Sequence, residues 1–84
     1  MNNQIQSTAQ VLLGAAREQG LWLSGDLRVG LRDAAGLIGM GEGSLRNLIT
    51  QGKGPATYKL GGGGHQRTVR IIDLATWLES RRGH

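Results

Sequence analysis

Apolar residues recur along this chain at helical spacing in four places and at strand spacing in one. Ile5, Ala9, Leu12, Leu13 and Ala16 share one face of a helix. Ser7-Thr8-Ala9-Gln10 has the Ser-x-x-Gln spacing of a capping box, and Gly20 is a natural stop. The pattern predicts a helix over 7–19, packed on the domain, after a frayed start at 1–6. Leu21-Trp22-Leu23-Ser24-Gly25-Asp26-Leu27-Arg28-Val29 is apolar with a Ser-Gly-Asp turn signal. It reads as a loop or short extended piece that plugs Leu21, Trp22 and Leu23 into the core.

Leu31, Ala34, Ala35 and Ile38 then repeat at i, i+3, i+4 and i+7, the stripe of an amphipathic helix. Gly30 can serve as its N-cap, and Asp33 lies in the first turn, where the helix dipole favours a carboxylate. Gly39-Met40-Gly41 interrupts the stripe, and a second helix follows with Leu45, Leu48 and Ile49 inward. Gly52 ends it, and Gly52-Lys53-Gly54-Pro55 forbids its continuation. Two short helices joined by a turn of about three residues containing glycine form a helix-turn-helix signature. The outer residues of the second helix are Ser44, Arg46, Asn47, Thr50 and Gln51. These are hydrogen-bonding types suited to base edges and phosphates. A helical hairpin with a solvated polar face has the same pattern.

Ala56-Thr57-Tyr58-Lys59-Leu60 favours a strand through Thr and Tyr, and Gly61-Gly62-Gly63-Gly64 cannot hold regular structure. His65-Gln66-Arg67-Thr68-Val69-Arg70-Ile71 reads as the returning strand, with Val69 and Ile71 on one side and Thr68 and Arg70 on the other. The outcome is a β-hairpin with a glycine tip and basic flanks. Asp73 is placed to cap a last helix carrying Leu74, Trp77 and Leu78 on one face, with Trp77 as a core anchor. Arg81 and Arg82 close it, where cations suit the dipole.

Charge sharpens the reading. In 84 residues there are ten Lys and Arg against six Asp and Glu, a formal charge of +4. Residues 1–27 carry Arg17, Glu18 and Asp26, for −1; residues 28–84 carry the other nine bases and four acids, for +5. A small basic domain points to a polyanion. With no cysteine, thiolate zinc sites, disulfides and cysteine nucleophiles drop out together. Two histidines make a metal site improbable, and they are the only imidazoles for a nucleophile–base pair. Gly39-x-Gly41-x-Gly43 follows no apolar strand and is too loose for a dinucleotide fingerprint. The chain therefore reads as non-catalytic, without cofactor or metal. No apolar run approaches the roughly 18–20 residues of a membrane span, and the N-terminus lacks signal-peptide features. Both place it in the cytoplasm, away from membranes.

The order helix, turn, helix, β-hairpin, helix over Val29 to Arg82 resembles the winged-helix domain of phage and mobile-element excisionases. These are the recombination directionality factors, with their AlpA/MerR-like regulator relatives. The stretches that carry the resemblance are Asp33-Ala34-Ala35 with Leu37-Ile38-Gly39, Ser44-Leu45-Arg46, and Gly52-Lys53-Gly54-Pro55. Tyr58-Lys59-Leu60-Gly61-Gly62 and Asp73-Leu74-Ala75-Thr76-Trp77-Leu78 complete them. They span about two thirds of the chain. The chain departs from the family pattern at Gly41, where a Ser or Thr cap is usual, at Glu42 and Gly43, and in its four-glycine wing tip.

The resemblance implies an α+β, mostly α, winged helix-turn-helix domain; the extra N-terminal helix, read from the apolar spacing, falls outside it. Residues 1–28 form that helix and its connection, and residues 29–84 the DNA-binding domain. It further implies Ser44, Arg46 and Asn47 facing the major groove of double-stranded DNA, with His65, Gln66 and Arg67 contributed by the wing. Lys53, Lys59 and Arg70 become backbone contacts. By the same likeness the protein binds and bends an attachment site, self-associating on neighbouring sites. A phage-type integrase then excises, and the protein resides on the bacterial nucleoid while bound. A small transcription regulator at a promoter, or a protein–protein adaptor, would use the same domain.

Overall fold

The computed structural model describes residues 3–59 and 67–81. In chain order the elements are α1 (Asn3–Glu18), β1 (Arg28–Gly30), α2 (Leu31–Leu37), α3 (Glu42–Thr50), β2 (Tyr58–Lys59), β3 (Arg67–Arg70) and α4 (Ile71–Ser80). The described fold is α+β and mostly helical, with four helices and one three-stranded antiparallel sheet.

The first helix begins at Asn3, so Ser7 lies inside it and does not cap it. The additional turn is held by tertiary contact. Ile5 and Ala9 pack against the core beside buried Leu12, Leu13 and Ala16, and Thr8 Oγ1 donates to Glu79 Oε2 of α4 at 2.7 Å. The α1 residues belong to the same core as Val29, Leu45, Val69 and Leu74.

Three helices end by one device. Gly20, Gly39 and Gly52 have φ of +68°, +72° and +75°. In each case the next residue's N–H reaches back over the turn: Leu21 to the Ala16 carbonyl (2.9 Å), Met40 to Ala35 (2.9 Å) and Lys53 to Leu48 (2.8 Å). This is the Schellman pattern, and only glycine adopts its left-handed residue without strain. The starts of α2 and α3 are equally backbone-made: Gly30 and Gly41 are extended N-caps that offer no side-chain hydrogen bond. The breaks and stops legible in the glycines are thus the observed ones.

The sheet differs from a two-stranded hairpin. β3 is central, in the order β1-β3-β2, with Arg28↔Arg70, Val29↔Val69 and Gly30↔Thr68 on one side and Tyr58↔Thr68 and Lys59↔Arg67 on the other. Val29 and Val69 are fully buried, so the short piece at 28–30 becomes an edge strand that closes the core. Ile71 does not extend β3. It opens α4, where it is buried with Leu74 and Ala75. The N-cap of α4 is Arg70, so Asp73 sits within the first turn and accepts a hydrogen bond from the Tyr58 hydroxyl at 2.9 Å.

Two further residues are displaced from their expected roles or confirmed in them. Trp22 does not enter the core: it is 52% exposed, while Leu21 and Leu23 pack inward. An extended segment alternates sides, so the three cannot all face the same way. Trp77 does pack against the core. Its Nε1 donates to the Lys53 carbonyl at 2.8 Å, and the Arg81 guanidinium lies over its ring, 4.6 Å from the centroid. No helix of the described residues is long and apolar enough to cross a membrane.

Candidate nucleic-acid interface

The second helix of the pair buries Leu45 completely and Leu48 and Ile49 in part. Its other side shows Ser44, Arg46, Asn47, Thr50 and Gln51 to solvent. The periodicity dictates this split, since residues three and four apart share a face. Arg46 is 61% exposed and paired with Glu42 one turn earlier, Nη2 to Oε2 at 2.7 Å. An exposed ion pair of this kind is weak and salt-sensitive, so the guanidinium is open to exchange with another anionic acceptor.

Arg46 also lines an open groove of about 840 Å³ between α3, the start of α2 and β3. Three arginines from three elements meet there: Arg32 of α2, Arg46 of α3 and Arg67 of β3. Ile49 contributes an apolar surface, Thr50 a hydroxyl and Trp22 an indole. Asp33 and Glu42 line the groove as well, and Glu42 is the counter-charge of Arg46. Beside Arg67, and directly across the strands from it, stands Lys59. Like charges facing each other across a ladder are unfavourable, and an external anion relieves that repulsion. Arg67 Nη1 also donates to Thr57 Oγ1 at 3.3 Å.

The other cations are arranged differently. Arg70 is three residues from Arg67, an odd spacing that puts it on the opposite face of the sheet. There Asp26 gathers two arginines, Arg28 Nε at 2.9 Å and Arg70 Nη2 at 3.5 Å. The Ser24 hydroxyl donates to the same carboxylate at 2.6 Å. That hydrogen bond, then the one from Arg28, lowers the Asp26 pKa to about 2. Arg70 lies over the Tyr58 ring, 4.9 Å from the centroid. Donation to Asp73 raises the Tyr58 phenol above its usual value. Thr68, only 2% exposed, is satisfied on both sides: it donates to the Tyr58 carbonyl at 2.9 Å and accepts from Arg28 Nη1 at 3.3 Å. Arg70 is thus engaged in a structural network.

Of the residues singled out in the sequence, Ser44 and Asn47 share one exposed face of α3, while Arg46, two residues from Ser44, turns to the groove with Ile49 and Thr50; Arg67 and Lys59 lie side by side on the sheet. Lys53 is exposed just past α3, its carbonyl fixed by Trp77. His65, Gln66 and the glycine tip lie outside the described residues. Arg32 and Trp22 are groove residues that motif reading passes over. Arg32 follows Leu31 on the polar side of α2, a position visible once that stripe is drawn. Comparison with protein-family models, with curated proteins and with solved structures returned no match.

Proposed function

We propose that this chain is a winged helix-turn-helix protein that binds double-stranded DNA sequence-specifically. In this reading α3 enters the major groove and the β2–β3 hairpin acts as the wing. The observation that carries it is the convergence of Arg32, Arg46 and Arg67 on one groove beside the uncovered polar face of α3. With Lys53 and Lys59, Arg32 and Arg67 make about four phosphate contacts, so log K falls against log salt with a slope of roughly −3 to −4. Arg46 suits guanine and Asn47 adenine, each pairing worth about 1–3 kcal/mol of discrimination.

A single module of this kind covers roughly 600–1,000 Å², so tight binding calls for several copies on adjacent sites. Together with the resemblance to excisionases, this supports an architectural role. The protein coats and bends an attachment site, and an integrase then excises.

The test is fluorescence anisotropy with mixed-sequence duplex at low ionic strength, followed by salt titration. Arg32→Ala and Arg67→Ala each reduce the slope by about 1, whereas Arg70→Ala leaves it unchanged. Absence of any association overturns the proposal. A circular-permutation gel shift and a purified excision reaction then separate the architectural role from promoter regulation, which would show occupancy without effect on recombination.

A further inference from the structure

The segment that precedes β1 carries an additional contact. We infer that Trp22 is part of the DNA interface, packing its indole against the deoxyribose edge of the strand whose phosphates the groove arginines hold. This rests on the DNA-binding reading and extends it to a residue outside the helix-turn-helix.

Two observations place it there. First, Trp22 is the largest exposed apolar side chain among the described residues, at 52% exposure. Its direction is fixed by its neighbours: the Gly20 turn sets the chain's exit from α1, and Leu21 and Leu23 pack on the core. The ring is therefore held outward by the fold. Second, it lines the groove shared by Arg32, Arg46 and Arg67, with Ile49 as another apolar surface. A duplex backbone alternates charged phosphates with apolar sugars. Guanidiniums and an indole lining one groove complement that alternation. A water-exposed indole of this size is otherwise unfavourable, since apolar area gains by burial.

The contact is uncharged, and that sets the test. A contact that releases no counterion changes affinity without changing its salt dependence. Trp22→Ala is expected to weaken binding of a mixed-sequence duplex of about 20 base pairs, two helical turns, by about ten-fold, the loss that goes with exposing roughly 50–60 Å² of apolar contact. The slope of log K against log salt stays at the wild-type value. Because a partly unfolded variant would also lose affinity at unchanged slope, the circular-dichroism melt of Trp22→Ala is read alongside and is expected to match wild type, the side chain being exposed.

Acrylamide quenching gives a second readout that leaves the wild-type interface intact. The chain has two tryptophans, Trp22 and Trp77, so the signal of Trp22 is the difference between wild type and Trp22→Phe. Adding the same duplex is expected to protect that difference signal from quencher. Should wild type bind the duplex while Trp22 stays equally quenchable and Trp22→Ala binds within two-fold, the inference fails and the DNA-binding reading stands. Should wild type fail to bind, both fall.

Discussion

Replacing Gly54 with alanine tests how the chain is seated as it leaves α3. A Cβ built on Gly54 would stand 2.7 Å from Ile49 Cγ1, 3.0 Å from the Ile49 amide nitrogen and 3.1 Å from its Cα. The obstruction is helix backbone plus the root of a β-branched side chain, neither of which can step aside. The loop must move instead. It is pinned on both sides: the Lys53 carbonyl is held by Trp77 at 2.8 Å, and Pro55 is buried. Overpacking of this sort costs about 1–3 kcal/mol, a large share of the roughly 5–15 kcal/mol by which such domains are stable. For a domain of this size each kcal/mol moves Tm by about 4–8 °C, so Gly54→Ala should melt about 5–20 °C below wild type. Gly14→Ala is the control. It lies on the solvent side of α1 with no atom within 4 Å of the added carbon. There alanine is favoured by about 0.8–1.0 kcal/mol, and Tm should rise by about 4–8 °C. Thermal unfolding followed by circular dichroism at pH 7 and fixed protein concentration reads both. If Gly54→Ala melts with or above wild type, the close approach of this loop to α3 is wrong.

The lowered pKa of Asp26 makes its contribution to stability present above its unfolded value near 3.8 and lost as pH falls towards about 2. Melting curves of wild type and Asp26→Asn should therefore differ at pH 7 and converge between pH 4 and 2; a constant gap would remove Asp26 from that role. Tyr58 behaves oppositely: its raised phenol favours the protonated donor to Asp73, so the bond's contribution persists up to about pH 10 and disappears above the raised value. Phenolate absorbance should titrate later in the folded protein than in urea, and Asp73→Asn should narrow the difference. Glu42→Gln releases Arg46 from its pair and removes a charge that repels phosphate. Random duplex should bind more tightly with a slope steeper by about 1, and discrimination among sequences should diminish; unchanged binding would show that the pair does not restrain Arg46.

What could be read in advance follows physical range. The α2–α3 corner was legible because its determinants are local: Leu31, Ala34, Ala35 and Leu45 repeat at helical spacing, and the punctuating glycines need no distant partner. The start of α1 was not, because Ser7 and Gln10 offer a local cap while α4, more than sixty residues away, rewards a longer helix through Thr8 and Glu79. β1 has too few residues to display a period, and only pairing with β3 makes it a strand. Ile71 alternates correctly for β3, yet the helix claims it, since its side chain is buried just as well there. For the candidate interface, the polar face of α3 could be read from its own spacing. The groove could not: Arg32 and Arg67 are brought together by the fold, and Arg70, equivalent to Arg67 in a list of bases, is drawn away by Asp26 and Tyr58.

The corner formed by α2 and α3 is framed at its ends mainly by main-chain groups, with glycine N-caps without side-chain bonds and glycine-closed endings; the side chains that assist α3's end are Thr50, on the Arg46 carbonyl, and Trp77, on the Lys53 carbonyl. Ser44, Asn47 and Gln51 therefore carry no duty in holding α3 in place. On the proposed DNA-binding reading, swapping these letters for others changes the target while the frame stays put, so descendants of one scaffold would gain new targets by a few point changes on a single stripe.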